Sequence, residues 1–158
     1  MIIDELITDR TQADVDLVES LKTKWLNGTI TSAEKTTWNA GLKGAYNAND
    51  LNRVGEAVAY VANLMNSSGR TVAVTAKQNW AYTDVPTQAQ MTAFLNDLSI
   101  LKNNSGISDV VPGSMDFLTY QTANAIEQLI INAYNAIIRE RADWEISGIA
   151  IAGVTGGL

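Results

Sequence analysis

Asn47-Ala48-Asn49-Asp50-Leu51-Asn52-Arg53-Val54-Gly55-Glu56-Ala57-Val58-Ala59-Tyr60-Val61-Ala62-Asn63-Leu64-Met65 is the stretch whose periodicity decides the fold class. Leu51, Val54, Val58, Val61 and Met65 recur at three- and four-residue intervals, which lines one side of an α-helix with apolar groups. Asn47, Asn49 and Asp50, just ahead of the stripe, are side chains that accept hydrogen bonds from the first, otherwise unpaired, helical amides. The spacing predicts an amphipathic helix that Ser67-Ser68-Gly69 ends.

Toward the N-terminus the same logic predicts two more helices. Ala13, Leu17, Leu21 and Trp25 carry a helical repeat over about residues 11–26, and Asn27-Gly28 marks a turn after it. Thr31-Ser32-Ala33-Glu34 matches a capping box, in which the Thr hydroxyl and the Glu carboxylate each take an orphan amide. Trp38, Leu42 and Ala45 extend this second helix along one face. Gly41 and Gly44 weaken it by about 1 kcal/mol each relative to alanine and admit a closely packed neighbour.

Toward the C-terminus, Thr71-Val72-Ala73-Val74-Thr75 switches to β-branched residues and reads as a short strand. Thr83-Asp84-Val85-Pro86-Thr87 is a turn into a fourth helix, with Thr87 and Gln90 spaced for another capping box and Met91, Phe94, Leu95, Leu98 and Leu101 on its buried face. A loop of polar residues and glycine runs from Asn103 to Ser114. From Thr119 to Asp143, Ala123, Ile126, Ile130, Ala133, Ile137 and Ala142 form a helical stripe, which Leu129, Ile131, Tyr134 and Ile138 widen. Ile146 to Val154 alternates loosely without charge and reads as a strand that either pairs with residues 71–75 or docks on another chain. The expected architecture is mainly α: about five helices in a bundle, with a small β ribbon at 71–75 that can pair with 146–154. Residues 1–145 form the helical domain and 146–158 an apolar, Gly- and Ala-rich docking segment.

Composition removes many kinds of chemistry. The 158 residues contain neither cysteine nor histidine, so disulfides, thiol nucleophiles, Ser-His-Asp relays and histidine metal sites are excluded. A hydrophobic content of 46 % with 18 % charge lies outside the range where disorder prevails, so the chain is expected to build a core. The net charge of −6 and scattered basic residues argue against nucleic acid or an anionic membrane as partner. Met1-Ile2-Ile3-Asp4-Glu5-Leu6-Ile7 lacks the basic lead and long apolar run of a secretory signal. The apolar stretch 146–158 is shorter than the roughly 20 residues a membrane helix needs, so no membrane insertion is expected.

The carboxylates offer no metal or catalytic pattern. Asp14, Asp16 and Glu19 sit at the start of the first helix, where acids complement the helix dipole. Glu127, Glu140 and Glu145, interspersed with Arg139 and Arg141, read as solvated faces with local ion pairs. Gly148, Gly153, Gly156 and Gly157 lack the lysine and the following helix of a phosphate loop. No catalytic, cofactor-binding or metal-ligating residue is expected, and no cofactor. Interface candidates are the boundary aromatics Trp80, Tyr82 and Trp144, the wide face at Ile131 and Ile138, and the terminal Ile149, Ile151 and Val154.

Three segments, Thr8-Asp9-Arg10-Thr11-Gln12-Ala13-Asp14-Val15, Gly41-Leu42-Lys43-Gly44-Ala45-Tyr46-Asn47-Ala48-Asn49-Asp50-Leu51-Asn52-Arg53-Val54, and Asn79-Trp80 with Asp84-Val85-Pro86-Thr87-Gln88-Ala89-Gln90-Met91, together carry a resemblance. In order and spacing they resemble a module of structural proteins in tailed phages and prophages of Gram-positive bacteria, often encoded near tail or baseplate genes. Leu118-Thr119-Tyr120-Gln121 and Ala123-Asn124 extend the likeness. The resemblance implies a non-enzymatic virion component, associated with a tail or baseplate and assembled in the bacterial cytoplasm. Its implied partners are other virion proteins or copies of itself in a symmetric assembly, and it transfers no catalytic residue. The alternative is a carbohydrate- or cell-wall-binding module of a phage tail, using Trp80 and Tyr82.

Overall fold

The computed structural model describes the backbone of residues 1–154 and the side chains of residues 1–144. A 3-10 turn, Ile2–Glu5, precedes five helices: α1 Gln12–Leu26, α2 Ser32–Asn39, α3 Ala48–Ser67, α4 Gln88–Ser105 and α5 Tyr120–Val154. Four of the helices open on a capping box, paired as Thr11 with Asp14, Thr31 with Glu34, Asn47 with Asp50 and Thr87 with Gln90. The cap side chain satisfies an orphan amide in each case, worth about 1 kcal/mol per cap. The boxes at Thr31 and Thr87 stand where the sequence places them.

The long helices α3, α4 and α5 pack against one another, and the 3-10 turn closes one side by touching α3 and α5. Their apolar stripes meet in one core. Val54, Val58, Val61 and Met65 come from α3, Leu98 and Leu101 from α4, and Ile126, Leu129, Ile130, Ala133 and Ile137 from α5. Ile3 and Val72 complete it. Each large side chain removed from water here contributes about 1.5–3 kcal/mol, which is what holds helices whose ends alone are marginal.

The expected β ribbon does not form. Residues 70–81 have no regular secondary structure and carry no ladder, and residues 146–154 continue α5 as helix. The cause is competition for backbone groups. Asn66 brackets Val72, accepting from its amide at 2.7 Å and donating to its carbonyl at 2.9 Å, while the Thr75 amide donates to the Asp97 carboxylate at 3.0 Å. Side chains of α3 and α4 thus take bonds a partner strand would need. For residues 146–154, lengthening an existing helix avoids the cost of a new nucleus.

The second helix is also shorter than its apolar spacing suggests. It ends at Asn39, and Gly41 follows at φ +93°, a left-handed conformation that breaks the repeat before Leu42 and Ala45. Gly44 serves the other purpose expected of these glycines, since a Cβ there would collide with the Asp14 carbonyl. That close approach seats the start of α1 against the turn that leads into α3.

Candidate functional site

Residues from three distant parts of the sequence converge on one buried ion cluster. Arg10 precedes α1, Asp50 and Arg53 lie in the first turns of α3, and Glu127 lies on α5. Arg10 Nη2 donates to Glu127 Oε1 at 2.7 Å and to Asp50 Oδ1 at 3.1 Å, and Arg53 Nη2 donates to the same two oxygens at 3.1 and 2.6 Å. Glu127 Oε2 accepts from the Ile7 amide at 2.6 Å. Arg10 also donates to the carbonyls of Ile7 and Lys43, at 2.6 and 3.1 Å. Asn124 closes the N-terminal side, accepting from the Arg10 amide and donating to its carbonyl.

The four charges sum to zero inside a region where a lone charge would be costly. Tyr46 covers the cluster, its ring centroid 5.3 Å from the Arg10 guanidinium. Burial pushes the Tyr46 hydroxyl pKa up, and the Glu127 and Asp50 carboxylates push it further, so it stays protonated. Its oxygen and Arg53 Nε are buried with no hydrogen-bond partner among the described residues.

Glu127 corrects the sequence expectation of a solvated face. It is fully buried, because it falls between Ala123 and Ile130 on the inward side of α5 rather than beside Arg139 and Arg141. That position was readable in principle: Glu127 stands four residues after Ala123 and three before Ile130, at core spacing. Arg10 and Arg53 carried no comparable signal. Chemically the cluster is a clamp. Asp50 and Glu127 share the same two guanidinium donors, which leaves neither carboxylate free to act as the acid or nucleophile of a glycoside hydrolase pair.

The segments carrying the resemblance meet at this clamp and its flank. Asn52 brackets Trp80, accepting from its amide at 2.6 Å and donating to its carbonyl at 3.0 Å. Gly55 lets the Lys77 carbonyl lie directly on α3, where a Cβ would collide with it. These residues shape the scaffold.

The interface candidates are distributed differently. Trp80 is buried, and Lys77 Nζ sits 4.0 Å from its ring centroid while bonding Asp84 at 2.8 Å. Tyr82 is exposed, its hydroxyl accepting from Asn49 Nδ2 at 2.8 Å. Ile131 is half-buried against the core, whereas Ile138 and Trp144 are exposed. Trp144 borders a groove of about 460 Å³ lined by Ser67, Ser68, Gly69, Glu140 and Arg141. The side chains of Ile149, Ile151 and Val154 lie outside the described residues. Sequence reasoning missed Phe117, which is 98 % exposed at φ +54°, and the exposed Val85 and Val110.

Among the described residues no group of acidic side chains is arranged to hold a metal ion, and no helix is long and apolar enough to cross a membrane. Comparison of the chain with protein-family models, curated proteins and solved structures finds no match. The class that fold and site define is a mainly helical bundle clamped by a buried ion cluster.

Proposed function

We propose that the chain is a non-enzymatic structural protein of a tailed-phage virion, tail- or baseplate-associated, that acts by docking on other virion proteins or on copies of itself. One observation carries the docking reading. Among the described side chains the core-facing stripe of α5 ends at Ile137, and the helix runs on to Val154. At 1.5 Å per residue α5 is roughly 52 Å long, against roughly 30 Å for α3.

Residues 141–144 on this extension are all exposed, Trp144 among them at 68 %. The following Ile146-Ser147-Gly148-Ile149-Ala150-Ile151-Ala152-Gly153-Val154 has no charged residue. An exposed aromatic followed by an uncharged apolar stretch gains stability when such surface is buried against another chain. The virion assignment rests on the resemblance of the scaffold segments. Trp80 lends little to a sugar-binding alternative, because the residue is buried and Lys77 lies over its ring.

Light scattering coupled to size exclusion, on the full chain and on a version ending at Glu145, tests docking through α5. The expected result is a defined oligomer that the truncation dissolves; a monomer in both removes self-assembly. Immunogold labelling of purified particles tests the virion assignment, and label absent from every particle would sink it.

A further inference from the structure

Three acids are buried in the described structure, and they are not alike. Asp50 and Glu127 each meet two arginines. Asp97, on α4 and 2 % exposed, meets no cation: its hydrogen-bond donors are the amide and hydroxyl of Thr75 alone. A carboxylate offers about four acceptor positions, so these two donors leave capacity unused. Burial raises the Asp97 pKa, opposed by the Thr75 hydrogen bonds.

Asp97 and Thr75 line a partly open groove of about 280 Å³ whose other walls include Leu51, Trp80, Met91 and Phe94. Lys77 also borders it, but its ammonium is engaged by Asp84 at 2.8 Å and lies over the Trp80 ring. Once that pair is set aside, Asp97 is the remaining charge in the lining. The volume falls just below the roughly 300–1,000 Å³ of small-molecule sites and suits one inserted side chain.

We propose that this groove receives a lysine side chain of a partner protein, its alkyl arm against Leu51, Met91 and Phe94 and its ammonium on Asp97. Charge complementarity chooses the occupant. An apolar arm alone would leave the buried carboxylate without a counter-ion, whereas an alkylammonium supplies both the apolar contact and the missing charge. The inference rests on the docking reading and adds to it the chemistry of one contact.

The test is a 1H–15N correlation titration of the full chain with n-butylammonium chloride, with n-butanol at equal concentration, and with an acetylated, amidated Gly-Lys-Gly peptide. Saturable shifts centred on Thr75, Ala93, Phe94 and Asp97 are expected for the amine and the peptide, with Kd on the order of millimolar for so few atoms, and none for the alcohol. Asp97→Asn keeps an oxygen for Thr75 and should abolish the shifts. Ala93→Leu, which fills the groove and spares Asp97, should abolish them as well and covers the case that Asp97→Asn fails to fold. Equal binding of butanol, binding retained in either folded variant, or no binding of the amine overturns the proposal. Binding of the amine but not the peptide overturns the protein side chain as its source. A failed titration beside a truncation-sensitive oligomer removes only the groove, while a monomer beside a successful titration removes only self-docking through α5.

Discussion

The α1–α2 hairpin and the bundle helices α3 and α4 begin with the same capping chemistry, yet the hairpin and the α3–α5 bundle are held in the molecule by different means. In α3 eight residues are buried, whereas α1 buries Leu21 and α2 none. The hairpin is closed by surface contacts: Trp25 and Trp38 rings 6.1 Å apart, Lys35 over Trp25, and an ion pair between Lys24 and Glu34. The bundle is closed by a shared apolar core and the clamp at its edge. Caps define where a helix starts; burial decides how firmly it is held.

The largest expected effect lies where the two regions join. Glu127→Ala should cost about 3–5 kcal/mol, because it strands Arg10 and Arg53 in a buried site. Thermal unfolding should show a fall on the order of 10 °C for a domain of this length, and a cost below about 1 kcal/mol would mean that the clamp is dispensable. Gly44→Ala should follow at about 1–3 kcal/mol, since the Asp14 backbone must move to admit the methyl group. Urea unfolding measures it, and a neutral result would refute the close approach.

Smaller effects should stay within the hairpin. Thr31→Ala should lower stability by about 1 kcal/mol and raise hydrogen-exchange rates at the start of α2 while leaving α3 protected. Equal acceleration in both regions would show that they open as one unit. Acid should act on the hairpin as well. Glu34 is held down to about 2 by its bonds to Lys24 and Thr31, below its ordinary 4.5. Its contribution is therefore complete above pH 4.5 and is lost as pH falls toward 2. Tryptophan fluorescence followed over that range should change in the wild type and change less in Glu34→Gln. Smallest of all, Trp144→Ala should alter unfolding of an isolated chain by less than about 0.5 kcal/mol, because its exposed ring contributes little to that core.

Much of this contrast was readable along the chain, and the reading failed where long-range partners intervene. The stripes at Val54-Val58-Val61-Met65 and Ile126-Ile130-Ala133-Ile137 do form the core, whereas Ala142, at the same spacing, is exposed. Thr71–Thr75 has strand-like residues, but the side chains of Asn66, at the end of the preceding helix, and of Asp97, on α4, take its backbone groups. Glu127 was misjudged because its charge outweighed its register. Arg10 looked like an ordinary residue before a cap, and nothing near it announces that α5 supplies its carboxylate.

The sequence by itself determined the helical class, the places where helices begin, the apolar faces, and the lack of thiol and imidazole chemistry. Those follow from local rules of hydrogen bonding, side-chain period and residue type. Only the tertiary structure decided that Arg10, Asp50, Arg53 and Glu127 neutralise one another, that residues 71–75 stay unladdered, and that α5 continues as helix to Val154. The physical reason is the same in each case: burial and charge pairing depend on which residues meet in space, and no spacing along the chain records that meeting.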